Sequence, residues 1–170
     1  HFGQYLFFET QLSESGDFSC ATCHQPEHGF ADPRRLSRAA GRTPRHAPTL
    51  LNVSFQKWFS WDGRDDSAWA QALDPLESPD EQNTDRLAVA HLIGDNPELR
   101  RAYETIFGEW PDLSDPERFP EHARPVPSDL DHPEHRAWKS MTASDRQTIN
   151  EIFANVGKAI AAYERKLVSG

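Results

Sequence analysis

Two cysteines and a histidine stand together near the start of the chain, in the segment SCATCH. Cys20 and Cys23 are the only cysteines, and His24 directly follows the second one. The pattern C-x-x-C-H is the attachment sequence of c-type haem. In that chemistry the two thiols add across the vinyl groups of one porphyrin edge, and the adjacent histidine binds the iron. The spacing therefore predicts thioether bonds at Cys20 and Cys23 and an iron ligand at His24.

Two other kinds of site use a cysteine pair. A redox-active dithiol follows a strand in a βαβ unit, which this sequence does not show. A zinc site needs two further ligands; His28 could supply one, but there is no second cysteine pair. The long segment 25–57, rich in Pro, Gly, Arg and His, favours haem, because a covalently bound cofactor can order a chain that lacks regular structure. Haem c is attached outside the bacterial cytoplasm, so the motif also predicts a periplasmic location.

The ligand on the face of the iron opposite His24 decides between two functions. A bound side chain there indicates an electron-transfer protein, whereas an open position allows a reaction at the iron. Electron-transfer cytochromes close that position with Met or a second His. Met141, the sole methionine, lies far along the chain from His24. His28 and His46 are nearer, but they are expected to hydrogen-bond with the backbone or the haem propionates. The sequence favours an open position; the alternative is a monohaem electron-transfer protein in which one of these three residues closes the iron.

The composition fits one domain with a small core. Hydrophobic residues make up 36% of the chain and the mean hydropathy is -0.76, while five Trp and ten Phe supply large apolar surfaces. The net charge of -9 argues against nucleic acid as a partner and suits a basic redox protein. No apolar run approaches the roughly 20 residues of a membrane-spanning helix.

Helix signals recur along the chain, and no segment alternates with period two for long enough to predict a strand. The first two predicted helices cover about 4–12 and 65–73. The next two cover 84–94, with Thr84 as its cap, and 96–108, which begins at an Asn cap and ends at a Gly. The last predicted helix is capped by Thr142 or Ser144. Six prolines between Pro111 and Pro133 predict an insertion over about 109–141, within one domain spanning 1–170. The histidines at 1, 91, 122, 132 and 135 are expected to face solvent. The predicted fold class is all-α with long irregular loops.

Four segments of the chain occur in the order found in a known family. They are LFFETQLSESGDFSCATCHQPEHGFAD, TPRHAPTLLNVSF, SWDGRDDSAWAQALDPLESPDE and VGKAIAAYERKLVSG. Together they resemble the N-terminal haem domain of bacterial di-haem cytochrome c peroxidases, a family that includes the MauG-type enzymes. The resemblance implies a cytochrome c-like domain with a covalent haem that reacts with hydrogen peroxide.

The resemblance also implies roles for three further residues. Trp61 matches the tryptophan that lies between the two haems and conducts electrons. Gln71 and Glu81 match the glutamine and glutamate over the peroxide-binding face. A carboxylate held by a hydrogen-bonding amide can take a proton from the near oxygen of a peroxide and deliver it to the leaving one. Without the resemblance these residues would be interpreted as a core ring, a solvated amide and an ordinary loop acid.

The sequence departs from the family pattern at two positions. Classical members carry a histidine in the loop before APT that ligates this haem at rest, but the matching place falls near Arg38. MauG-type members lack that ligand, so His24 is expected to be the sole protein ligand of the iron. His46 stands where many relatives have an asparagine that binds an inter-domain calcium ion. Imidazole is a poor ligand for so hard a cation, which counts against calcium here.

The family also has a second C-x-x-C-H domain that exchanges electrons with the first haem. No residue of this chain supplies such a site, so the expectation is a fragment or a separate second chain. The partners that the resemblance implies are hydrogen peroxide and the second haem domain. They also include either a small cytochrome or copper protein as electron donor, or a protein substrate oxidised in the MauG manner.

Overall fold

The structure, a computed structural model, describes residues 1–170 and consists of helices joined by irregular segments. There is no β-strand, only isolated bridges, which confirms the all-α prediction. The chain forms two compact units, residues 1–84 with 156–170 and residues 85–155. The eight α-helices are α1 (Phe2–Phe8), α2 (Cys20–Cys23), α3 (Ala68–Gln71), α4 (Asp74–Glu77), α5 (Arg86–Asp95), α6 (Pro97–Phe107), α7 (Pro133–Ser140) and α8 (Ala143–Glu164).

The core of the first unit forms where α1 lies against the end of α8. A methyl group at Gly3 would collide with the backbone carbonyl of Ala159, so the two helices touch through their backbones. The buried ring of Phe7 packs against Tyr163 and Phe30, with centroids 5.1 and 6.1 Å apart. Aromatic rings thus supply much of the apolar contact in a chain that is poor in aliphatic residues.

Residues 25–57 follow the prediction of an irregular segment. They contain only two 3-10 turns, Pro26–His28 and Val53–Phe55. The buried side chains of Leu50 and Val53 anchor the end of this segment in the first unit. Helix α3 then lies within the predicted range 65–73, and α4 adds one further turn after it.

The second unit contains α5 and α6. The predicted cap of α5 is wrong: Asp85, not Thr84, accepts hydrogen bonds from the amides of Leu87 and Ala88 at 3.0 and 3.1 Å. The helix begins one residue later than predicted, so the aspartate side chain reaches its free N–H groups. The prediction for α6 is confirmed, with Asn96 as its cap and Gly108 at φ 98° as its end.

The proline-rich segment also belongs to the second unit. It has no helix until α7, which the sequence analysis did not predict and which His132 caps through its ring nitrogen. His122 is exposed as expected, although its Nδ1 lies 2.7 Å from Asp85. The other three histidines beyond the N-terminus are only half-exposed and have partners: His91 bonds to the carbonyl of Pro120, and the Nδ1 atoms of His132 and His135 accept from the amides of Glu134 and Val126. That this segment is an insertion in a single haem domain stays a prediction.

Helix α8 is the longest element and matches its prediction closely. Thr142 caps it by accepting a hydrogen bond from the amide of Asp145 at 3.1 Å. Its apolar positions recur every three or four residues and are buried, as an amphipathic helix requires. The buried members are Ile149, Ile152, Phe153, Val156, Ile160 and Ala161.

Candidate functional site

The C-x-x-C-H motif is held on one turn of helix. Ser19 and Thr22 form a reciprocal capping box at the start of α2, and the amide of His24 closes the turn on the carbonyl of Cys20 at 2.9 Å. Residues three apart on a helix share one side, so the turn presents both cysteines together. Neither cysteine is in a disulfide. The motif therefore offers two free thiols and one imidazole from adjacent positions.

The imidazole of His24 is oriented by backbone carbonyls. Its Nδ1 lies 3.1 Å from the carbonyl oxygens of both Phe30 and Pro48. Because a carbonyl only accepts, Nδ1 carries the hydrogen and Nε2 keeps its lone pair. Burial lowers the pKa of His24, despite the opposing effect of these hydrogen bonds. A neutral ring whose Nδ1–H is fixed by a carbonyl is the usual state of a metal-binding histidine.

Both cysteines are half-buried, protonated thiols. Burial raises the pKa of Cys20 to about 12 and also raises that of Cys23. The Cys20 sulfur accepts a hydrogen bond from the Nε2 of Gln82 at 3.6 Å, and the Cys23 thiol lies 3.9 Å from the carbonyl of Arg38. A redox-active dithiol has the opposite property, a lowered pKa. The structure also brings together no group of three His, Cys, Asp or Glu that could hold a metal ion, so the zinc and dithiol alternatives gain no support.

This donor set fits a c-type haem. Two thiols that are in no disulfide are available to the porphyrin edge, and the Nε2 of His24 is available to the iron. The site is therefore suited to a cofactor that takes covalent bonds from two thiols and one coordinate bond from an imidazole.

An ion pair between the buried Asp32 and the partly exposed Arg34 connects the motif to the irregular segment after it. The Nε and Nη2 of Arg34 each donate to Asp32 at 2.8 Å, and Nη2 also donates to the carbonyl of Thr22 at 3.3 Å. Burial opposes ionisation of Asp32, but the hydrogen bonds from Arg34 outweigh it and lower its pKa to about 2. Sequence analysis missed this pair, because a lone Asp two residues before an Arg in a loop is a common pattern.

Trp61 lies at the surface of the first unit, with 64% of its area exposed. Its indole N–H donates to the carbonyl of His46 at 3.0 Å, and the Nδ1 of His46 in turn bonds to the carbonyl of Arg34 at 3.1 Å. Two hydrogen bonds thus connect the exposed ring of Trp61, through His46, to the backbone of Arg34. The position is open to a partner, whereas a core ring would be covered. The role of Trp61 in electron transfer stays a prediction.

Glu81 lies near the motif in a setting that suits proton transfer. Its backbone is fixed by a bond from its amide to Ser78 at 3.1 Å and a bond from the amide of Ala40 to its carbonyl at 3.0 Å. Burial raises the pKa of the half-buried carboxyl, against the lesser effect of a hydrogen bond with Ser78. The carbonyl of Arg38, two residues before Ala40, lies 3.9 Å from the Cys23 thiol, so Glu81 and the motif contact the same loop.

Gln71 is the last residue of α3 and is half-buried. Its amide nitrogen in the backbone donates to Ser67 at 3.1 Å, but no hydrogen bond joins its side chain to Glu81. The structure therefore does not show the carboxylate–amide pair that the resemblance implies. Gln71 stays a predicted site residue without a contact that supports it.

The three candidates for a sixth iron ligand have different surroundings. His28 is exposed on a 3-10 turn, and the Nδ1 of His46 is engaged with Arg34. Met141 is buried in the second unit, where it follows α7.

The whole chain matches a known protein family. The family model described as di-haem cytochrome c peroxidase covers residues 1–170. The methylamine utilization protein MauG of Methylorubrum extorquens is 41% identical over 110 residues, which is 62% of this chain and 31% of that protein. The cytochrome c551 peroxidase of Pseudomonas aeruginosa is 34% identical over 107 residues, again 62% of this chain and 31% of that protein.

Solved structures share the fold. The diheme peroxidase BthA from Burkholderia thailandensis superposes with a TM-score of 0.68 at 25% identity, covering 96% of this chain and 37% of that one. The chain thus spans about a third of the length of the proteins it matches.

Proposed function

Since the chain belongs to the di-haem cytochrome c peroxidase family, we propose that its first unit holds one c-type haem that reacts with hydrogen peroxide. Cys20 and Cys23 form the thioether bonds, and the Nε2 of His24 binds the iron. The observation that carries the proposal is the geometry of His24, whose Nδ1 donates to Phe30 and Pro48 and whose Nε2 is left for a metal. When bound, the haem supplies the electron transfer to peroxide that no side chain here can provide.

Glu81 is the group that moves protons in this proposal. Reduction of hydrogen peroxide to two waters consumes two electrons and two protons. A carboxyl whose pKa is raised by burial exchanges protons nearer neutral pH than an ordinary glutamate does. The amide of Ala40 bonds to the carbonyl of Glu81 at 3.0 Å, and the carbonyl of Arg38, two residues earlier, lies 3.9 Å from the Cys23 thiol. The role of Glu81 is to accept a proton from peroxide and to return it to the leaving oxygen.

Trp61 connects the site to a partner. Its ring is exposed and is linked through His46 and Arg34 to the side of Cys23. We assign to it the transfer of electrons from a second haem domain, which a small cytochrome or copper protein would reduce. The net charge of -9 suits a basic donor, because opposite charge speeds encounter.

Oxidation of a protein substrate in the MauG manner is a second candidate function. It is favoured by the lack of a histidine near Arg38, where the second histidine ligand of classical members is expected. In the structure the carbonyl of Arg38 lies against the Cys23 thiol. The iron then keeps His24 as its sole protein ligand in the resting state.

The proposed location is the periplasm, because haem c is attached there. No helix of the structure is long and apolar enough to cross a membrane.

The experiment is expression with the bacterial haem-attachment system, followed by mixing the ferric protein with one equivalent of peroxide. We expect covalent haem on a denaturing gel, absent from C20A/C23A, and rapid change of the main visible absorption band. Glu81→Gln should slow that change at least tenfold, while Glu27→Gln, at an exposed acid of the same unit, should not. Equal rates for all three proteins would contradict the role of Glu81. A haem that ignores peroxide would favour an electron carrier.

A further inference from the structure

A strap of residues, 46–50, runs beside the motif without regular structure. Its first residue is bonded to the protein surface: the carbonyl of His46 accepts a hydrogen bond from the indole N–H of the exposed Trp61 at 3.0 Å. Two residues later, the carbonyl of Pro48 accepts a hydrogen bond from the Nδ1 of His24 at 3.1 Å. The strap therefore joins an exposed ring to the imidazole that we assign to the iron, and a single residue separates the two acceptors.

Other hydrogen bonds fasten the strap to the loop that follows the motif. The Nδ1 of His46 donates to the carbonyl of Arg34 at 3.1 Å. The carbonyl of Ala47 accepts from the amide of Asp32 at 3.2 Å, and the amide of Ala47 donates to the hydroxyl of the buried Ser37 at 3.1 Å. The strap is thus held from the interior along this edge, whereas the indole holds it from the surface side.

The backbone between the two acceptors is stiff. A proline ring fixes the φ angle of Pro48 at about −65°. The residue before a proline is confined to extended conformations, which restricts Ala47, and the peptide groups that join these residues are planar. Little rotation is therefore available to absorb a displacement of the His46 carbonyl, and the Pro48 carbonyl moves with it.

The acceptor at Pro48 affects how His24 binds a metal. A carbonyl that accepts from Nδ1–H fixes the orientation of the ring and raises the basicity of Nε2. If this carbonyl moves away, Nδ1–H keeps its bond to the carbonyl of Phe30 at 3.1 Å, but Nε2 becomes a weaker base. A less basic ligand stabilises the ferric state less, so the midpoint potential rises.

We propose that Trp61 is a positioning residue for His24 and acts through the strap. Its N–H fixes the carbonyl of His46, and the stiff Ala47–Pro48 segment passes that constraint to the hydrogen bond of the imidazole. This inference rests on the proposed function, because its effect is read from a haem bound by His24. It is separate from electron transfer by Trp61, since an equilibrium potential does not depend on how fast electrons arrive.

The test compares the haem-loaded wild-type protein with Trp61→Phe, which keeps an aromatic ring but lacks the N–H donor. Resonance Raman spectroscopy of the ferrous protein gives the iron–histidine stretching frequency, and a titration with redox mediators gives the midpoint potential. We expect the frequency to fall and the potential to rise by about 28 mV, which corresponds to a threefold change in the equilibrium constant of a one-electron reduction.

Two further variants show whether the effect comes from the hydrogen bond and travels through the strap. Trp58→Phe, at an exposed ring of the same loop, should leave the frequency and the potential at wild-type values. Ala47→Gly keeps the backbone hydrogen bonds of the strap but loosens it, because glycine has more conformational freedom. In the A47G background, Trp61→Phe should shift the potential by less than half as much as it does in the wild-type protein.

Three results would overturn the inference: wild-type frequency and potential in W61F, an equal shift in W58F, or the full W61F shift in the A47G background. If the ferrous protein shows no iron–histidine band, the potential alone decides. If W61F does not fold, A47G decides, since its looser strap should change the potential in the same direction. Bound haem with unchanged values refutes this inference alone, whereas a protein without covalent haem refutes the proposed function as well.

Discussion

The Nδ1–H of His24 donates to the backbone carbonyl of Phe30 at 3.1 Å, six residues further along the chain. The ring of Phe30 packs in turn against Phe7 on α1. The core of the first unit thus determines the position of the carbonyl that orients the imidazole. A histidine held in this way presents Nε2 in one direction only.

The first prediction concerns His24 itself. In His24→Ala the thioether bonds remain, but the iron loses its protein ligand. We expect reaction with peroxide to slow by more than about a hundredfold, beyond the ten- to hundredfold typical when only a residue supporting a metal ligand is lost. Stopped-flow absorbance measures the rate. His28→Ala is the matched control, since that residue is exposed four positions away, and a similar loss in H28A would argue against the assignment.

The second prediction concerns the close contact between α1 and α8. Gly3→Ala would place a methyl group into the carbonyl of Ala159. The helices must then move apart, at a cost of about 1–3 kcal/mol in the free energy of unfolding. Urea unfolding measures this difference. Gln4→Ala, at the exposed next position of α1, should change stability by less than about 0.5 kcal/mol. A stable G3A would mean that the two helices do not pack so closely.

The ion pair of Asp32 with Arg34 gives a prediction about acid. The pKa of Asp32 is about 2 in the folded protein and about 3.9 in an unfolded chain. The pair therefore stabilises the fold fully above pH 4, and this contribution is lost as pH falls from about 4 to 2.

Asp32→Asn should accordingly lower the free energy of unfolding by about 1–2 kcal/mol at pH 7, with allowance for the partly exposed Arg34. The difference from wild type should shrink as the pH falls below 4. Urea unfolding at pH 7 and at about pH 3 checks both values. Asp66→Asn, at an exposed acid of the same unit, should behave as wild type; a constant D32N deficit at both pH values would contradict the role of the charge.

The contact of His122 with Asp85 in the second unit gives a prediction with the opposite pH dependence: its stabilising effect is lost as pH rises. The hydrogen bond with Asp85 raises the pKa of His122, against a smaller effect of burial. The contribution of this ion pair to the free energy of unfolding is therefore complete below about pH 6.5, the approximate pKa of His in an unfolded chain. It is lost as pH rises through the higher pKa of the folded protein. Because the His122 side chain is 55% exposed, we expect only about 0.5 kcal/mol.

His122→Ala should be less stable than wild type at pH 5.5 and closer to it at pH 9, as measured by urea unfolding. Asp85→Asn keeps an oxygen that can cap α5 and removes the charge, so it should abolish the same pH dependence. A pH-independent difference between H122A and wild type would show that packing, not charge, holds the proline-rich segment.

The sequence was sufficient for features that depend on local chemistry. The caps of α6 and α8 and the buried stripe of α8 follow from residue types at fixed spacings, and the structure confirms them. The start of α5 was missed by one residue because Thr84 and Asp85 are both good caps and only the backbone selects between them. The short helix α7 was hidden among prolines, although Pro133 occupies its first position, where proline is tolerated.

The site was less predictable than the motif at its centre. Cys20, Cys23 and His24 stand together in the sequence, so their chemistry could be inferred directly. The partners that give them their properties come from distant positions: Pro48 orients His24, and Gln82 bonds to Cys20. Such contacts depend on how loops fold back on α2, which no local pattern encodes.

The most direct test of the central claim is the low-temperature EPR spectrum of the ferric, haem-loaded protein, before and after one equivalent of hydrogen peroxide. An iron bound by His24 and open on its other face should give a high-spin signal that collapses when peroxide is added. A low-spin signal that peroxide leaves unchanged would contradict the account, and would mean that a sixth ligand closes the iron and the unit carries electrons only.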